Sequence, residues 1–139
     1  MKRVNNLNKK EIGEYYTPNN LAISMVKKIS DNIANSDILE PSVGEGVFLN
    51  PLLQHEPKSI DCIELFQEKC DFINNKYKSD KLNVICSDFI EYSLNCNKKY
   101  DIIIGNPPYI KKSNLNEEIM IKSKKLLEFF SNNKIRMEN

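Results

Sequence analysis

The sequence predicts an α/β fold on a mostly parallel sheet, and three observations predict it. Short segments of strand length, rich in apolar residues, recur at 37–40, 59–64, 83–86 and 100–104. A segment with helical spacing of apolar residues, 66–77, lies between the second and third of them, and another, 19–34, precedes the first, so the strands connect through crossovers. The first strand runs into a glycine loop, Pro41-Ser42-Val43-Gly44-Glu45-Gly46, and the last runs into Asn106-Pro107-Pro108-Tyr109. Ligands of open α/β sheets sit at that carboxyl end of the strands.

Composition bounds the class. A chain of 139 residues makes one domain with a core of ordinary size. With 40% apolar and 28% charged residues it is globular rather than disordered. No apolar run reaches membrane-spanning length, and Met1-Lys2-Arg3-Val4-Asn5-Asn6 lacks the apolar core of a signal peptide. Cys62, Cys70, Cys86 and Cys96 show neither C-x-x-C nor zinc spacing. They are expected to be reduced thiols in a cytoplasmic protein with no metal site. His55 is the sole histidine and reads as a surface residue.

The net charge of +1 is unevenly spread. Residues 1–29 carry six basic against two acidic groups (+4), 30–97 five against twelve (−7), and 98–139 nine against five (+4). An acidic middle between basic ends suits a cationic small molecule in the middle and phosphates at the flanks. A solvated lysine-rich surface explains the same pattern more plainly.

Along the chain, residues 1–12 are polar, basic and without period, as in a mobile tail. The helix expected over 19–34 sets Leu21, Ala22, Met25, Val26, Ile29 and Ile33 on one stripe, with Thr17 or Asn19 as its cap. Strand 37–40 ends in Glu40. The loop after it is neither G-x-G-x-x-G nor a P-loop, so its glycines admit a ligand close to the backbone without implying a phosphate, and a carboxylate is the better guest. Val47-Phe48-Leu49 opens a helix through Leu53.

Strand 59–64 ends in Glu64, placed as the acid that takes ribose hydroxyls in nucleoside-binding sheets. A helix over 66–77 faces Phe66, Cys70, Ile73 and Tyr77 inward. Strand 83–86 leads to Asp88-Phe89, an acid and an aromatic that can bond and stack a purine. Singly, Glu64 reads as a strand-end surface charge and Asp88 as a helix cap. Together, acids at three successive strand ends and a glycine loop at the first favour a nucleoside site.

Strand 100–104 delivers Asn106-Pro107-Pro108-Tyr109. The prolines end the strand and leave carbonyls outward. The Asn106 side-chain oxygen and the Pro107 carbonyl can each accept one N–H of an exocyclic amine, and Tyr109 can stack on its ring, as for a base taken out of its helix. Segment 115–130 is lysine-rich and expected to be helical from Asn116, and 131–139 to fray.

These motifs, in this order, resemble the N-terminal part of the amino-group DNA methyltransferases of restriction-modification systems, of the adenine-N6 type. Gly13-Glu14-Tyr15-Tyr16-Thr17-Pro18 is similar to that family's leading motif. The stretch from Leu39 to Leu49 is similar to its cofactor loop, D-P-[SA]-C-G-[ST]-G-x-F-L, with Glu40 for the usual Asp and with Val43 and Glu45 for small or polar residues. Asn106-Pro107-Pro108-Tyr109 is the catalytic motif, intact.

The resemblance spans about residues 13–110 and implies a Rossmann-like S-adenosylmethionine-dependent methyltransferase fold, truncated after its fourth strand, with 13–139 as a partial catalytic domain. It implies Asn106, Pro107, Pro108 and Tyr109 as catalytic residues. It implies a cofactor pocket of Tyr16, Thr17, Glu40, Pro41, Ser42, Gly44, Gly46, Phe48, Glu64, Leu65, Asp88, Phe89 and Asn106. Within it, Glu40 takes the cofactor's amino group, Thr17 lies near its carboxylate, Glu64 holds the ribose, and Asp88-Phe89 the adenine.

The implied partners are DNA presenting a flipped adenine and a second chain that supplies later strands and target recognition, since strand 100–104 is otherwise an open apolar edge. The chain alone is then expected to turn over weakly or not at all. N-P-P-Y also serves protein glutamine and some RNA bases, so these stand as alternative substrates. A non-catalytic remnant or a subunit of a split enzyme is the reading from another class.

Overall fold

A computed structural model describes residues 17–106, together with Ile121, Lys124 and Lys125. Nine elements alternate along it: helix α1 (Asn19–Lys28), a 3-10 turn (Ser30–Asn32), strand β1 (Asp37–Glu40), α2 (Leu49–Leu53), β2 (Ser59–Glu64), α3 (Gln67–Lys76), β3 (Leu82–Cys86), α4 (Phe89–Asn95) and β4 (Ile102–Ile103). The four strands form one parallel sheet in the order β3-β2-β1-β4. Asp37 pairs with Ser59, Ile38 with Ile102, and Glu64 with Cys86. The predicted α/β class with a mostly parallel sheet is therefore what forms.

The order fixes where a ligand can sit. From β1 the chain steps outward through β2 to β3, then returns to the other side of β1 for β4. The chain leaves β1 towards β2, whereas β4 lies on the other side of β1, and the carboxyl ends of β1 and β4 are where a crevice forms in sheets of this kind. Glu40 ends one of these strands, and Gly105 and Asn106 follow the other.

One face of the sheet carries the main core. Ile38, Ile60, Cys62 and Ile104 meet Ala22 and Val26 of α1, Leu49 and Leu52 of α2, and Ile73 of α3, all buried. Each fully buried aliphatic side chain of this kind is worth about 1.5–3 kcal/mol. On the other face Asp61, buried in mid-strand, accepts from Lys98 Nζ at 2.9 Å and from Tyr100 Oη at 2.6 Å. Tyr100 in turn bonds Tyr92 of α4. This pairing holds α4 and the approach to β4 on the sheet and spares Asp61 the cost of an unpaired buried charge.

Several expectations need correction. The first helix stops at Lys28 rather than running to residue 34. Ser30 Oγ donates back to the Lys27 carbonyl at 2.9 Å, and Ser30, Asp31 and Asn32 compete with the helix for its backbone groups. Neither Thr17 nor Asn19 caps it; Pro18 occupies the cap position with no side-chain bond. Leu21 is half exposed rather than part of the buried stripe.

Strand β4 pairs over two residues, not five, because Asp101 instead bonds the start of β1 through both its backbone N–H and its carboxylate. Helix α4 was not expected, although Asp88 with Glu91 three residues on is a capping signature. Strands 37–40 and 59–64 match their predicted bounds, and β3 begins one residue early.

The tail expected over 1–12, the leading residues 13–16 including Tyr16, the expected catalytic residues Pro107, Pro108 and Tyr109, and the fraying expected over 131–139 lie outside the described residues, as does most of segment 115–130. Among the described residues no helix is long and apolar enough to cross a membrane.

Candidate active site at the switch point of the sheet

Glu40 and Glu64 end adjacent strands and reach into the glycine loop between them. Glu64 Oε2 accepts from Gly44 N at 3.0 Å, and its Oε1 accepts from Phe66 N at 3.1 Å. It is only 8% exposed, so it is not a strand-end surface charge. The loop is further held by Val43 N to the Ile63 carbonyl at 3.0 Å, and by Tyr77 Oη donating to the Gly46 carbonyl at 3.0 Å.

The two loop glycines serve different ends. Gly46 has φ +84°, and a Cβ there would press on Ile73, Tyr77 and Leu49 at 2.8–3.1 Å, so this glycine lets the loop pack down on α3. Gly44, at φ +54°, faces open space, where a ligand can approach the backbone.

Glu40 is fully buried. Its Oε1 accepts from Ser42 N at 3.1 Å, whereas Oε2 has no partner among the described residues. Removal from water pushes its carboxyl up to about 8; the Ser42 N–H partly offsets this, and the nearby Glu64 charge adds to it. Ser42 Oγ is likewise buried and without a partner. A buried orphan acceptor and a buried orphan hydroxyl in one loop are costly unless a guest satisfies them. An amino acid moiety with an ammonium for Glu40 and a carboxylate for hydroxyls and loop N–H groups has the matching chemistry, so these residues fit the amino acid end of S-adenosylmethionine.

Across the switch point, Gly105 lies against Glu40. A Cβ at 105 would collide with Glu40 Oε1 and stand 3.1 Å from Pro41 Cδ. Sequence reasoning passed over this glycine, and only the packing reveals its need. The next residue, Asn106, donates from Nδ2 to Thr17 Oγ1 at 3.1 Å. That bond spans 89 positions and joins Thr17 of the leading motif to the first residue of Asn-Pro-Pro-Tyr.

The remaining predicted residues are placed as follows. Leu65 and Phe89, 56% and 39% exposed, follow the adjacent ends of β2 and β3 and offer apolar faces there. Asp88 is the cap of α4, with Oδ1 accepting from Ile90 N at 2.8 Å and Glu91 N at 3.3 Å. Phe48 is buried in the main core. Thus Glu40, Pro41, Ser42, Gly44, Gly46 and Glu64 come together, as do Thr17, Gly105 and Asn106, at the same end of the sheet.

Over 107 residues, 76% of its length, the chain is 36% identical to the Type II methyltransferase M.HincII of Haemophilus influenzae, and it covers 19% of that protein. Over 107 residues it is also 30% identical to a ribosomal RNA small subunit methyltransferase A of Prochlorococcus marinus, of which it covers 39%. The chain thus spans well under half the length of these curated relatives.

Among solved structures, a Pyrococcus horikoshii protein provisionally assigned as an RNA methyltransferase superposes with a TM-score of 0.64 at 24% identity, covering 91% of this chain and 64% of that one. This likeness shows the fold. The sequence profile of the Eco57I restriction-modification methylases matches residues 14–137. With the methyltransferase sheet, its loop and that match in hand, the chain belongs to the Eco57I restriction-modification methylase family.

Proposed function

We propose that this chain carries the cofactor site and catalytic motif of a DNA adenine-N6 methyltransferase of a restriction-modification system. The observation that carries the reading is the pairing, at one switch point, of the buried unpartnered Glu40 carboxyl oxygen with the Asn106 amide just beyond β4. S-adenosylmethionine, when bound, supplies a methyl group on a sulfonium.

The chain's residues do the rest. Glu40 receives the cofactor's ammonium, and Ser42 and Thr17 its carboxylate. Glu64 takes the ribose hydroxyls on the lone pairs its two backbone bonds leave. Leu65, Asp88 and Phe89 hold the adenine, and Gly44 lets the ligand lie on the backbone. Asn106 Oδ1 and the Pro107 carbonyl accept the two N–H bonds of the target amine. That favours a tetrahedral nitrogen and stabilises its developing positive charge. Tyr109 stacks on the flipped base.

The relatives favour a second reading, because one is a ribosomal RNA methyltransferase. The leading motif and the restriction-modification family support DNA as the first choice. Methyl transfer from labelled S-adenosylmethionine to duplex DNA and to ribosomal RNA separates them. Label in N6-methyladenine of DNA supports the proposal. Label in RNA alone replaces it with the second reading.

A further inference from the structure

The bond from Asn106 to Thr17 poses a problem of orientation. A side-chain amide has a donor end and an acceptor end, and a half-turn exchanges them. Transfer to an amine requires the acceptor end at the target; the reversed amide would set its own N–H groups against those of the substrate. Asn106 Nδ2 donates to Thr17 Oγ1, so Oδ1 is the end left for the target.

A hydroxyl alone does not enforce this choice, since it can both accept and donate. With its proton free to turn, Thr17 would serve the reversed amide equally well by donating to Oδ1. The choice becomes fixed only when the Thr17 proton is committed elsewhere. In the reading above, the acceptor beside Thr17 is the cofactor's carboxylate.

We propose that Thr17 is a positioning residue that makes the orientation of the Asn106 amide depend on bound cofactor. Its hydroxyl donates to the cofactor carboxylate, can then only accept from Nδ2, and so holds Oδ1 towards the target amine. The chain carboxylate–hydroxyl–amide polarises along its length, which strengthens each link. The leading motif thereby acts on the catalytic residue as well as on the cofactor. This inference rests on the proposed function and adds an order to it: cofactor first, then target.

The test uses the full chain, S-adenosylhomocysteine as a cofactor probe that cannot transfer methyl, and 9-methyladenine as the target probe. 5′-Methylthioadenosine, which lacks the amino acid end, is the control. Binding is followed by calorimetry and by the Asn106 side-chain amide signals in nitrogen-15 spectra. Saturation with S-adenosylhomocysteine is expected to shift and sharpen those signals and to raise 9-methyladenine affinity about tenfold, the worth of one hydrogen bond. Methylthioadenosine is expected to do neither. Thr17→Val should bind S-adenosylhomocysteine within about tenfold of wild type, one hydrogen bond being lost, yet show no such response, and Thr17→Ser should restore it.

An equal response to methylthioadenosine, or an unaltered response in Thr17→Val, overturns the proposal while leaving the cofactor site intact. A folded chain that binds neither adenosine compound overturns the reading of the site itself, and this inference with it. The two wild-type arms decide the matter even where the valine variant does not fold.

Discussion

Glu40 occupies the space that a side chain on Gly105 would need. The carboxyl at the end of β1 and the backbone at the end of β4 thus share one narrow place, and Asn106 follows directly. The glycine loop after β1 and the segment after β4 are not merely near each other; the position of one limits the other.

Gly105→Ala should therefore destabilise the chain by about 1–3 kcal/mol through overpacking. The penalty should fall below about half of that in a Glu40→Ser background, because the colliding atoms are gone. Urea unfolding of the two single variants and the double variant measures the coupling. Simple additivity would show that the two residues do not contend for the same space.

The raised carboxyl of Glu40 gives stability a definite pH dependence. Unfolded, it titrates near the usual carboxylate value; folded, near 8. Between these the unfolded state holds fewer protons, so stability falls as pH rises from about 4.5 to 8 and this contribution levels off above. The loss is on the order of a few kcal/mol. Glu40→Gln should flatten the part of the melting-temperature profile that wild type loses between pH 5 and 8. Parallel profiles for the two proteins would contradict the assignment.

Cofactor binding should move protons by the same logic. At pH 7 the empty site holds Glu40 mainly protonated. An ammonium beside it favours the charged carboxylate, and a proton leaves. Near pH 8 the release should vanish, since an α-amino group titrates at about 7.7–8.0 and the incoming ligand then brings fewer protons. Calorimetry of S-adenosylmethionine binding in buffers of different ionisation enthalpy counts these protons. Glu40→Gln should show almost no release at pH 7.

Asn106→Ala should abolish methyl transfer and leave S-adenosylmethionine affinity within about threefold, less than one hydrogen bond's worth, because its amide faces the target in the proposed site. Filter-binding of labelled methyl groups and calorimetry report the two effects separately. Loss of cofactor affinity in this variant would move the pocket elsewhere.

Local signals in the sequence carried much of the fold. Stretches 37–40 and 59–64 became β1 and β2 around Ile38-Leu39 and Ile60, Cys62 and Ile63, with the buried Glu40, Asp61 and Glu64 interrupting the apolar pattern. The glycine loop was legible because positive φ and close packing demand glycine at 44 and 46. Helix α4 was missed although Asp88 and Glu91 announced its start, since its apolar face is short and none of its residues is buried.

The resemblance gathers Thr17, Glu40, Glu64 and Asn106 in one pocket, but the particular contacts between distant residues were not legible. The burial of Glu64 and its bond to Gly44, the clearance at Gly105, the bond from Asn106 to Thr17 and the pairing of Asp61 with Lys98 and Tyr100 each join segments about 20 to 90 positions apart. No periodicity encodes such contacts; they follow from the strand order.

The ends of β1 and β4 frame the proposed S-adenosylmethionine site. Calorimetric titration of the purified, folded chain with that compound tests it most directly. One molecule should bind per chain, with protons released at pH 7. A folded, monodisperse chain that takes up no cofactor would contradict it.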